Sequence, residues 1–91
     1  MGLFSLGARR DPARAETIRR IAALVRAELG LGDADSVTVS EIACGDPACG
    51  GAETVILVMR RGQRTRATKV SKSLALVTDS EIVAALEAVA E

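Results

Sequence analysis

Between Pro12 and Gly30 the apolar residues recur at spacings of three and four. Ile18, Ile21, Val25 and Leu29 form the stripe, and Ala22 and Leu24 widen it. That period is an amphipathic helix. Asp11 is placed to be its N-cap and Pro12 its first helical residue. Gly30 supplies the left-handed stop. Arg19, Arg20 and Arg26 fall largely off the stripe, and Glu16 and Arg20 have the (i, i+4) spacing of an ion pair.

The pattern then changes period. "SVTVSEIA" (36–43) alternates as a strand, with Val37 and Val39 on one face. Glu41 continues that face while Ile42 beside it is the apolar residue, so a bulge or a strand end is expected near Glu41. "ETVILVMR" (53–60) is an unbroken apolar run, which predicts a central strand covered on both faces or nearly so. "RRGQ" marks a hairpin centred on Arg61 and Gly62. "RTRATKVSK" is the third strand. Thr78 and Glu81 make a capping box, with Val77 and Ile82 placed as a hydrophobic staple. Ile82, Leu86 and Val89 form the buried stripe of a last helix. The expected fold is α+β: helix, three-stranded mostly antiparallel sheet, helix, in two layers. Residues 11–91 read as one domain and residues 1–10 as a flexible tail. Leu3, Phe4 and Leu6 beside Arg9 and Arg10 also allow a membrane-touching tip, although three apolar side chains bind a bilayer only marginally.

Composition narrows the function classes. The chain has 91 residues, 48% of them hydrophobic, with zero net charge, which suits one small folded domain. Phe4 is its one aromatic residue, so Val, Ile, Leu and Ala must build the core. There is no histidine, which excludes Ser-His-Asp and Cys-His chemistry within one chain and removes the commonest zinc ligand. Without Tyr or Trp the usual base-stacking platform is absent. No apolar run reaches the roughly 18 residues of a membrane span. "MGLFSL" is too short for a signal-peptide core, and Leu6 breaks the myristoylation pattern. The expected setting is cytoplasmic, with no stable membrane insertion and with cysteines held as thiols or as a metal pair.

Zero net charge conceals segregation. Residues 9–26 carry six arginines and two acids, residues 27–59 six acids and no base. Residues 60–72 carry Arg60, Arg61, Arg64, Arg66, Lys69 and Lys72 and no acid. Such blocks create local fields. The basic hairpin from Arg60 to Lys72 is a candidate surface for an acidic protein face, a small anion or nucleic acid. Equally, it is a solvated strand whose charges guard a sheet edge. The element order resembles that of double-stranded RNA-binding domains in topology alone.

The chemistry-bearing stretch is "EIACGDPACGG" (41–51). Cys44 and Cys49 flank a turn in which Asp46 accepts backbone hydrogen bonds and Pro47 presets φ. Paired thiolates suit soft metals. Zinc needs four ligands, and Glu41, Asp46 and Glu53 are the nearby carboxylates. A second chain could complete a zinc site or an iron–sulfur cluster, and the pair alone suits linear Cu(I). A reversible disulfide and a purely structural turn are the other readings. Acidic neighbours raise a thiol's pKa, which disfavours a highly reactive nucleophile.

Glu41, Cys44, Asp46, Pro47, Cys49, Glu53, Thr54, Lys69, Lys72 and Thr78 together resemble the pattern of a family of small uncharacterised bacterial proteins. The likeness covers about the last 55 residues. Where that pattern has Pro after the second lysine, this chain has Ser73. The resemblance implies a site and no activity. The sequence therefore leads to a small non-enzymatic accessory protein. It would use the Cys44–Cys49 loop and the adjacent charged strands to bind a protein partner, a second copy of itself or a metal. Thiol redox or metal handling, and nucleic-acid binding through the basic hairpin, are the alternatives.

Overall fold

The computed structural model of the chain describes residues 12–43 and 51–89. Its elements run α1 (Pro12–Leu29), β1 (Ser36–Ala43), β2 (Ala52–Met59), β3 (Arg66–Val70) and α2 (Asp79–Ala85), with a closing 3-10 turn over Leu86–Val89. This is the α+β order that the hydrophobic pattern predicts. The tail, the Asp11 cap, Cys44, Asp46, Pro47 and Cys49 lie outside the described residues.

The helix ends follow from local chemistry. After Leu29 the chain turns at Gly30, whose φ is +63°. The Leu31 N–H then reaches the Arg26 carbonyl at 3.0 Å and the Gly30 N–H reaches that of Ala27 at 3.4 Å. These two bonds are the Schellman pair that satisfies the last orphan carbonyls. At the start of α2 the capping box is complete. The Thr78 hydroxyl accepts from the Glu81 N–H at 3.2 Å, and the Glu81 carboxylate accepts from the Thr78 N–H at 2.9 Å. Thr78→Ala should lower stability by about 1 kcal/mol, which is roughly 4–8 °C in Tm for a domain this size. A thermal melt followed by circular dichroism checks it; an unchanged midpoint would mean the helix start is set elsewhere.

The sheet order is β1-β2-β3, antiparallel throughout. Register runs unbroken from Ser36 opposite Met59 to Ala43 opposite Ala52. The bulge, one of the two expectations near Glu41, is therefore not there, and the strand ends two residues on, at Ala43. Glu41 sits opposite Thr54 and simply extends the face of Val37 and Val39.

One face of the sheet carries the core. Val39, Ile56 and Val58 on the strands, Ile21 and Val25 on α1, and Ile82, Leu86 and Val89 at the C-terminal end are all buried. Leu74 and Val77 complete this cluster from the β3–α2 connection. They are core residues that the helical and strand periodicities do not reveal, because they sit in an irregular segment. The connection crosses the end of the sheet on the helix side. The Thr54 hydroxyl donates to the Lys72 carbonyl at 2.9 Å, and Thr54 is wholly buried.

The apolar run in β2 is central, but its cover is one-sided. Thr54, Ile56 and Val58 face the helices and are buried, whereas Val55, Leu57 and Met59 face away and are half-buried. Among the described residues no helix packs on that outer face. Length and hydrophobicity alone do not separate a strand buried on both faces from one with a bare apolar side.

Candidate functional site

Alternation along each strand sorts the candidate residues onto two faces. Glu41 lies on the helix face. Glu53, opposite Ile42, lies on the outer face. The two carboxylates flank the same turn in sequence, yet the sheet stands between their side chains.

Glu41 is committed to the fold. One carboxylate oxygen accepts from Arg14 Nη1 of α1 at 2.7 Å, and the other accepts from the Leu74 N–H at 2.9 Å. Three elements thus meet on one side chain. The Leu74 amide and the Arg14 guanidinium hold its carboxyl below the ordinary value of 4.5.

Glu53 is different. Its side chain is mostly buried, and Lys69 Nζ of β3 approaches Oε1 at 3.2 Å. The same oxygen is enclosed and has no hydrogen bond in acceptable geometry. The contact is therefore an ion pair without a directed bond. Lys69 is opposite Val55, so it meets Glu53 diagonally on the outer face, as cross-strand neighbours do.

The basic block divides. Lys69 pairs with Glu53, and Lys72 pairs with Glu81 at 2.8 Å, where it joins the capping box. Lys72 and the Thr78 amide keep the Glu81 carboxyl below its ordinary value. Arg60, Arg61 and Arg64 lie in the β2–β3 connection and Arg66 opens β3. Among the described residues their side chains have no ion-pair partner. The Gln63 N–H bonds to the Arg60 carbonyl at 2.9 Å and Gly62 has φ +76°, so Arg61 and Gly62 form the centre of a tight turn. Seven residue steps separate the two ends of β2, about 23 Å at ordinary strand rise. Four arginines therefore sit at one end of the sheet. Glu53 and Lys69 lie toward the other end.

Asp35 ties down the arginine end. Its carboxylate accepts from the Arg61 N–H at 2.8 Å and from the Gly32 N–H at 2.9 Å. These amides lower its pKa from the ordinary 3.8. Arg26, which the helical pattern sets apart from the core, donates to the carbonyls of Gly32 (2.6 Å) and Asp35 (3.0 Å) and fixes the same loop to α1. Glu16 pairs with Arg19 at 3.2 Å rather than with Arg20. Arg20 instead reaches across to Asp79 of α2. Helical spacing permits both partners for Glu16, and the neighbouring helix decides by supplying a carboxylate to Arg20.

Two concavities border α1. One of about 170 Å³ is lined by Ala13, Arg14, Thr17, Leu74 and Ala75, smaller than the roughly 300–1,000 Å³ of small-molecule sites. The other is lined by α1 residues alone, on its exposed side, and so encloses nothing. No described helix is long and apolar enough to cross a membrane. Among the described residues no cluster of three or more Cys, Asp or Glu is placed to hold a metal. Cys44, Cys49 and Asp46 fall outside that set. Comparison with protein-family models, with curated proteins and with solved structures finds no match to this chain.

Proposed function

We propose that this chain is a small non-enzymatic binding domain that takes a protein partner on the outer face of its sheet. The observation that carries this reading is the one-sided cover of β2. Val55, Leu57 and Met59 run down the middle of the sheet with no described element over them, and Ile42 on β1 is 49% exposed beside them. A contiguous apolar patch with a polar border is the ordinary signature of a docking surface. Its border here has two chemical signs. Arg60, Arg61 and Arg64, which have no ion-pair partner among the described residues, lie in the connection at one end and favour a partner with carboxylates. The Glu53–Lys69 pair marks the other end, which leads into the Cys44–Cys49 turn.

The test is affinity capture with wild-type protein and with Leu57→Lys, which puts a charge in the centre of the patch. A specific protein retained by wild type and lost by Leu57→Lys supports the reading. Retention that survives Leu57→Lys and fails with Cys44→Ser/Cys49→Ser would move the function to the thiols, as would stoichiometric metal on freshly purified protein. Salt-sensitive binding of nucleic acid, lost when Arg60, Arg61 and Arg64 become alanine, would favour the basic hairpin instead.

A further inference from the structure

We infer that the free edge of β1 pairs with the same edge of a second copy of this chain, antiparallel about a twofold axis, so that two three-stranded sheets become one of six strands. β1 and β3 are the two edges of the sheet, and they are built in opposite ways. β3 has five residues, carries Arg66 and Lys69, and is flanked by Arg64 and Lys72. Short length and positive charge are the usual devices that stop an edge from pairing. β1 has eight residues, with no Pro, no Lys, no Arg and no bulge. Its outward backbone groups make no backbone hydrogen bond among the described residues. One edge is guarded and the other is not.

The occupant follows from charge and register. The one charged residue of β1, Glu41, is already neutralised by Arg14. The edge therefore offers nothing to attract a charged peptide and nothing to repel its own copy. Antiparallel pairing must keep the helix-facing residues of both copies on one side. Centring the pair on Val39 places Val39 opposite Val39 of the second copy and Glu41 opposite its Val37. Centring on Ser40 places Glu41 opposite Val39 of the second copy. In neither register do the two carboxylates oppose each other. In either register seven residues of each β1 pair, exchanging about seven backbone hydrogen bonds, comparable with the ~10 of a typical interface. The outer apolar patches of the two copies then lie on one continuous face. The C-terminal ends of the two β1 strands stand about 27 Å apart in the first register and about 20 Å apart in the second, at ordinary strand rise.

Sedimentation of the full chain over a wide concentration range tests the inference. Wild type is expected at twice the chain mass. Thr38→Lys/Ser40→Lys, which puts lysines of the two copies opposite or diagonal to one another on the outer face, is expected to run as a folded monomer with an unchanged far-ultraviolet spectrum. The milder Thr38→Lys should weaken dimerisation by about tenfold, which corresponds to roughly 1.4 kcal/mol. In hydrogen exchange on the wild type, β1 amides should gain protection with concentration while β3 amides do not. A wild-type monomer at every concentration would overturn the inference. So would a dimer that keeps its mass in both lysine variants, or one that dissociates on chelation or on Cys44→Ser/Cys49→Ser.

Discussion

Ile56→Ala should reduce the unfolding free energy by about 2–5 kcal/mol, the range for truncating a buried aliphatic side chain. Ile56 is 0% exposed at the centre of the middle strand, between α1 and the C-terminal turns. Removing its outer carbons loses their transfer energy and leaves a cavity that a sheet on one side cannot collapse to fill. Against a total of roughly 5–15 kcal/mol for a domain, this is among the costliest single truncations. Leu57→Ala, one residue along, is the internal comparison. Leu57 faces outward and is only half-buried, so its truncation should cost about 1 kcal/mol or less. Urea unfolding of both variants gives the two numbers. Equal costs would show that the outer face is as thoroughly covered in solution as the inner one. They would remove the basis for a vacant docking surface.

Glu41→Ala should cost about 2–3 kcal/mol, the usual scale for losing hydrogen bonds to a charged group. The side chain is 22% exposed and its loss leaves the N–H of buried Leu74 without its acceptor. It also frees Arg14, and with it the join between α1, β1 and the β3–α2 connection. The same carboxylate should make stability depend on acid. Its pKa is lower in the folded chain than its ordinary 4.5, chiefly through the Leu74 amide and then Arg14. The unfolded chain therefore binds the proton more tightly. The stabilisation is fully present above the unfolded value and is lost as pH falls from near 4.5 through the lower folded value. Asp35 and Glu81 are shifted in the same direction, by backbone amides and by Lys72. Glu41→Gln should thus flatten the acid limb of stability against pH without abolishing it. Urea midpoints at a series of pH values, for wild type and Glu41→Gln, measure this. Identical acid limbs would show that Glu41 does not titrate differently on folding.

These two side chains also show what could be read in advance. Ile56 is apolar within an apolar run, and its burial was legible; the fact that Leu57 beside it is not equally buried was not. Glu41 stands in strict alternation with Val37 and Val39, which places it on the core face. The apolar Ile42 beside it instead suggests a bulge or a strand end near Glu41. No bulge forms, because Arg14 and the Leu74 amide satisfy a carboxylate where an apolar residue would otherwise belong, and the strand runs on to Ala43. The diagonal approach of Lys69 to Glu53 depends on the register between β2 and β3, which no local pattern sets. The same holds for the division of the six basic residues of 60–72 into two paired lysines and four arginines without an ion-pair partner among the described residues, because contiguous positions in a chain become opposite ends of a sheet.

The sequence by itself determined what is local: the period of each element, the Gly30 stop, the Thr78–Glu81 capping box, and the order helix, three strands, helix. Those signals act within a few residues, through backbone geometry and side-chain spacing, and need no partner from elsewhere. Only the tertiary structure decided which face of β2 has no helix over it among the described residues, which edge of the sheet is unguarded, and which carboxylate each cation meets. These depend on which segments cross over the sheet. Such crossings are set by contacts between residues far apart in the chain, where no short-range pattern records them.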